Sequence, residues 1–197
     1  MTRLRREGRT IRVERIEEYG RCLGIAGFRE AQITGVPTFL EAVREKIGHH
    51  VFQLLNADHV AGWEHLYFAA LNALKAFQDG GNIAERLDIE ILLYSSCQDQ
   101  IVKAFTLIGV TPQTSRVALL TLAESEEAAT AAIRRATPLL GVPDDSVLEV
   151  NGEKIQRLRE VFSISDEELE AVAEPGEERS ALKSLLIERC ALLAIHR

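Results

Sequence analysis

The sequence predicts a mixed α/β fold, a small mixed sheet packed against a helix-rich layer. Three observations lead there. Short apolar or alternating runs occur at 10–18, 21–28, 50–55 and 116–122, the lengths and patterns of strands. Longer segments, notably 59–77, 125–140 and 177–196, repeat apolar residues at steps of three or four, as amphipathic helices do. Gly48, Gly80-Gly81, Gly109 with Pro112, and Pro175-Gly176 punctuate these segments.

The elements follow in order. In 10–18 the apolar Ile11, Val13 and Ile16 are set among charges, which predicts a half-exposed strand. Residues 21–28 are small and apolar; Gly24 and Gly27 suit a bulge or a close approach. Pro37 opens a helix carrying Phe39, Leu40, Val43 and Ile47, and Gly48 ends it. Residues 50–55 form a strand expected inside the sheet. Asn56 and Asp58 stand where the next helix should start, as caps for its orphan N–H groups. Its stripe is Val60, Trp63, Tyr67, Ala70, Leu71, Leu74 and Phe77.

Residues 83–95 fit a helix or a strand, and the opening Ile83–Leu87 favours helix. Helix 98–108 is expected to turn Ile101, Phe105 and Ile108 to one side. Residues 116–122 form a buried strand. Ser125 caps a helix reaching about Leu140, with Glu126 and Glu127 in its first turn. Residues 153–162 are helical, and Ser165 with Glu168 has capping-box spacing. After Pro175-Gly176, residues 177–196 form a last helix striped by Leu182, Leu185, Leu186, Cys190 and Leu193.

Composition narrows the function. The chain has 197 residues, 46% of them apolar, and a net charge of −7, which argues against a general nucleic-acid coat protein. Residues 1–30 hold eight arginines against five glutamates, so a basic arm precedes an acidic body. Cys22, Cys97 and Cys190 lack metal or disulfide spacing and suit buried thiols in a reducing cytoplasm. The longest charge-free stretch, Ala104–Ser115, is too short to cross a bilayer, and no apolar core of a secretory signal follows the arginines.

Catalytic signatures are absent. There is no phosphate-loop lysine, nucleophile elbow or kinase motif. His49 and His50 are adjacent in a strand and point to opposite faces, and His196 is terminal. His59 and His65 lie six positions apart on a helix and cannot share a metal. Asp144-Asp145-Ser146 after Pro143 reads as a turn or cap. The expectation is a protein without cofactor, metal or catalytic residue. The alternative is a small-molecule-binding or enzymatic α/β domain using His65 and Asp58 as an acid/base pair.

Several segments taken together resemble a known family. They are Leu55-Asn56-Ala57-Asp58 leading into a helix with His65; Ile89-Glu90-Ile91-Leu92; Ser96 with Gln98-x-Gln100-Ile101 and Ile108-Gly109; and Asp144 to Glu149. Their order and spacing resemble the small kinase-binding subunit of the KEOPS (EKC) complex, the PRPK-binding protein family, in its archaeal form. The resemblance runs from about residue 21 to the C-terminus. It implies one domain over 19–197, with residues 1–18 as a basic extension and 177–196 as its C-terminal helix.

It also implies a non-catalytic, cytoplasmic regulatory subunit. Such a subunit binds and stimulates a PRPK-type atypical kinase/ATPase. It helps hold tRNA by the 3′ CCA end during threonylcarbamoyladenosine formation. A homodimer is possible when the subunit is alone. Leu182, Leu185, Leu186 and Leu193 are then the expected kinase-binding residues, and Asn56, His65, Gln98 and Lys103 the expected RNA-binding ones. One departure stands out: Asp99 occupies a place where the family commonly has arginine, replacing attraction to phosphate with repulsion.

Overall fold

The computed structural model describes residues 11–174 and 176–193. The arginines of the first ten residues, Pro175 of the expected break, and the 194–196 end of the last helix with His196 lie outside them. The described chain divides into two compact units, one of residues up to Ala57 with Gly109–Val147, the other of Asp58–Ile108 with Leu148 onward.

The first unit is a sheet with two helices. Its strands are β1 (Arg12–Ile16), β2 (Arg21–Arg29), β3 (Val51–Asn56), β4 (Val117–Ala123) and the short β5 (Val142–Pro143). They lie in the order β1-β2-β4-β3, with β5 also on β2. The mixed α/β class is as expected, but every adjacent pair is antiparallel rather than of mixed direction. The physical reason is the insertion of β4. The β2 and β3 strands, joined by helix α1 (Val36–Ile47), run the same way, and β4 fills the slot between them in the opposite sense.

This insertion also puts β3 at the end of the order, not inside the sheet as expected. Its apolar run misled because Phe52, Gln53, Leu54 and Leu55 are buried on both faces, so edge and centre read alike. The central strand is β4, whose seven residues are all buried.

One face of the sheet packs against α1 and α5 (Glu126–Leu140). Ala26, Phe28, Phe52, Leu54, Val117 and Leu119 supply the strand side of that core, and Val43, Ile47, Ala132, Ile133, Ala136 and Leu140 the helix side. Ser125 caps α5, its Oγ accepting from the Ala128 N–H at 3.2 Å. At Gly24 the close approach is real: a Cβ would meet Ile133 Cδ1 at 2.9 Å and Ala129 Cβ at 3.2 Å.

Gly141, at φ +101°, lies so close to β2 that a Cβ would fall 2.4 Å from the Arg29 carbonyl oxygen. Gly141→Ala is therefore expected to destabilise the protein by about 3 kcal/mol, from left-handed strain plus a backbone clash. Gly20→Ala, with φ +60° and open space, should cost only about 1 kcal/mol. Urea midpoints of the two variants check this. Equal midpoints would show that the chain relieves the Gly141 clash.

The second unit is helical: α2 (Trp63–Asp79), α3 (Leu87–Ser96), α4 (Ile101–Ile108), α6 (Gly152–Phe162), α7 (Asp166–Val172) and α8 (Glu178–Leu192). The α2 helix packs on α3 and α8, α3 also on α4 and α8, and α7 on α8. Leu66, Ala69, Ala70, Ala73 and Leu74 form the buried face of α2. Trp63, Tyr67, Leu71 and Phe77 of the expected stripe border it half-buried. Alanines inside let the neighbouring helices come close, so the large rings sit at the margin. The Ser165–Glu168 capping box forms with both of its bonds.

Candidate functional site

The polar cluster at 56–59 does not cap α2 as expected. Asn56 ends β3, and Ala57–His59 make a 3-10 turn. Val60 and Ala61 are buried before the helix begins at Trp63. Gly62 stands at the N-cap without a side-chain cap, and His65 Nδ1 reaches back to accept from the Ala61 N–H just before it at 3.2 Å. Asp58 is held by Arg157 Nη1 at 2.7 Å, and His59 Nδ1 contacts the Leu107 carbonyl oxygen. Both contacts lie within the second unit, so this cluster serves helix–helix assembly there.

His65 is fully buried. Burial lowers its pKa to about 4, outweighing the opposite pull of the Ser95 backbone, and Nε2 gains no well-formed hydrogen bond. A neutral imidazole sealed in a helical core presents no surface to nucleic acid. The Asp58 carboxylate is engaged by Arg157.

The start of α3 also differs from expectation. Residues 83–86 stay outside the helix because the buried Glu90 carboxylate accepts from the Ile83 N–H at 3.0 Å and the Ala84 N–H at 2.8 Å. That bond pair folds the segment back and leaves Leu87 as the first helical residue. At the other end Cys97 takes the left-handed conformation, φ 51°, and separates α3 from α4.

On α4 the buried residues are Ala104 and Ile108. Ile101 and Phe105, expected on one side with Ile108, are instead 40% and 42% exposed, and Val102 is 78% exposed. The helix turns Ala104 and Ile108 inward, while Ile101, Val102 and Phe105 face out. Such a cluster marks an interaction surface more often than a scattered apolar residue does.

Beside it runs a groove of about 690 Å3, lined on the α4 side by Gln98, Val102, Lys103 and Thr106, and opposite by Phe162, Arg189 and Leu193. The Arg189 guanidinium donates to the Phe162 carbonyl oxygen and, at 2.6 Å, to Glu168 Oε1, so its charge is fixed in place. The groove brings together Gln98 and Lys103 of the expected RNA-binding set and Leu193 of the expected kinase-binding set. Neither Asn56 nor His65 lines it.

The last-helix stripe is split. Leu182 and Leu186 are fully buried in the second unit, whereas Leu185 and Leu193 keep partial exposure. Sequence reasoning missed Val102, Phe162 and Arg189. Their positions, 27 residues apart or more, are joined only by tertiary packing. Among the described residues no helix is long and apolar enough to cross a membrane.

Residues 33–194 match the family described as kinase binding protein CGI-121. The chain belongs to the CGI-121 family of kinase-binding proteins. The expected family is thereby borne out. A curated relative is regulatory protein Cgi121 of Methanocaldococcus jannaschii, 38% identical over 114 residues, covering 57% of this chain and 70% of the relative.

Proposed function

We propose that the chain is a non-catalytic, cytoplasmic subunit of the KEOPS complex that binds and stimulates a PRPK-type kinase/ATPase and holds tRNA by its 3′ CCA end. The match of residues 33–194 to a family of kinase-binding proteins carries this reading. In it, residues 19–197 act as the kinase-binding domain and residues 1–18 as a basic extension whose Arg12–Ile16 strand pairs with β2. The kinase is engaged by exposed apolar side chains, among them Leu185 and Leu193 of the last helix, while Leu182 and Leu186 hold that helix in place. Without kinase, a homodimer through the same surface belongs to this proposal.

A pull-down against the cognate kinase, with tRNA added and omitted, tests the reading. The expected result is stable association, with kinase ATP turnover rising on addition of this chain. The chain alone should not hydrolyse ATP. Turnover that copurifies with it and disappears in Asp58→Ala or His65→Ala would overturn the subunit reading in favour of an enzyme.

For tRNA, the groove offers Lys103 to phosphate and the Gln98 amide and Thr106 hydroxyl to unpaired bases, over the apolar Val102 and Phe162. Such binding is local and weak, given the net charge of −7. Asp99 is exposed next to this wall and repels phosphate. Asp99→Arg should tighten tRNA binding and steepen its salt dependence by about one phosphate contact. The measurement compares wild type and Asp99→Arg at two salt concentrations, using intact and CCA-trimmed tRNA. Equal affinities throughout would remove the groove from the RNA site and leave the arginines of residues 3–15 as the better candidate.

A further inference from the structure

Cys97 and Cys190 are 93 positions apart in sequence, yet their Sγ atoms lie 3.4 Å from each other inside the second unit. One ends α3 and the other sits in the last turns of α8. Each thiol also faces a carbonyl of the opposite helix. The Cys190 thiol donates to the Tyr94 carbonyl oxygen at 2.9 Å, and that of Cys97 to the Leu186 carbonyl oxygen at 3.7 Å. The sulfurs are thus held at van der Waals contact from two sides. A disulfide needs an S–S length of about 2.05 Å, so closure requires the two sulfurs to approach by a further ~1.4 Å.

Access is unequal. Cys190 is fully buried, whereas Cys97 is partly exposed and lines the groove beside α4. The third cysteine, Cys22, is buried in β2 of the other unit.

We propose that Cys97 and Cys190 form a reversible redox clasp, closed by a low-molecular-weight disulfide that enters along the groove. Cys97 loses its proton to solvent and its sulfur attacks one sulfur of the reagent. One thiolate leaves, and a mixed disulfide forms on Cys97. The Cys190 sulfur, its proton lost in turn, attacks the Cys97 sulfur and expels the second thiolate. Two protein thiols are oxidised, one reagent disulfide is reduced, and two protons pass to the two released thiols. Cys97 lines the groove while Cys190 is fully buried, which assigns the first attack to Cys97 and the resolving role to Cys190; the hydrogen bond with Cys97 and burial both push the Cys190 thiol well up. Closure ties the end of α3 to α8 across a long loop and removes a thiol from the groove wall.

The test treats the folded full chain with oxidised glutathione, then alkylates, digests and maps the peptides by mass. The expected result is loss of two of the three thiols, a linked Cys97–Cys190 peptide within one chain, an alkylated Cys22, and full reversal by dithiothreitol. Cys190→Ala should stop at a glutathione adduct on Cys97, and Cys97→Ala should leave Cys190 unmodified. Three results would each overturn the proposal. They are a lasting adduct on Cys97 of the wild type, a link between two chains, and no reaction of the folded chain under conditions that oxidise the urea-unfolded one.

Discussion

Leu186→Glu should unfold the helical unit, with a loss of at least about 4 kcal/mol. Leu186 is fully buried on α8, the helix that packs against α2, α3 and α7. Removing the leucine forfeits roughly 1.5–3 kcal/mol of apolar burial. The introduced carboxylate must then either stay charged without a partner or hold a proton far above its usual pKa, and each choice adds further cost. Leu193→Glu is the contrast. Leu193 is half-buried just beyond α8 and should tolerate the charge at under about 1 kcal/mol. Urea unfolding followed by circular dichroism measures both variants, and the kinase pull-down is repeated with Leu193→Glu. In the proposed function this variant folds and loses the kinase. A Leu186→Glu protein with the wild-type midpoint would mean that the α8 stripe is not core. A folded Leu193→Glu protein that binds normally would move the kinase interface elsewhere.

The second large effect is a pH dependence set by His65. Its folded-state pKa is about 4, below the ordinary 6.5 that the unfolded chain restores, because burial disfavours the imidazolium. The unfolded state therefore takes up a proton at a pH where the folded state cannot. Stability from this residue is fully present above about pH 6.5, falls as pH drops below that, and is gone by about pH 4. The total is about 3 kcal/mol. Denaturant midpoints between about pH 7.5 and 4.5 should show most of that loss in the wild type. His65→Asn keeps an acceptor for the Ala61 N–H but does not titrate, and its stability should fall much less over the same range. Part of any remaining slope belongs to His59, whose pKa burial also lowers. Parallel pH profiles for wild type and His65→Asn would show that His65 charges freely in the folded protein.

These effects separate what residue order reveals from what it conceals. Local chemistry was legible. The apolar run within 116–122 marked β4 as a buried strand, Ser125 and the Ser165–Glu168 box started their helices as expected, and Gly24 suited the close approach that the structure places there. In each case the signal and its consequence lie within a few residues, or one missing side chain sets a distance. Where long-range partners competed, local signals lost. Asn56 and Asp58 were well formed as caps, but Asp58 pairs with Arg157 and α2 begins later, where His65 can reach back to Ala61. The Ile83–Leu87 opening was helical by propensity, but the Glu90 carboxylate holds its first N–H groups in a bend.

By itself, the sequence determined the mixed α/β class, most helix and strand positions, and the motif order that resembles a kinase-binding family. Propensity, periodicity and capping all act over one or two turns, and a family pattern is a pattern of residues. Only the tertiary structure decided that β3 lies at the end of the order, because β4 enters the sheet from 61 residues further along the chain. It also decided that α4 turns Ala104 inward and Val102 outward, that Leu186 is core while Leu193 reaches the groove, and that Cys97 and Cys190 meet. Each of these depends on which distant segment fills the neighbouring volume, and an amphipathic pattern states that a face will be covered without stating by what.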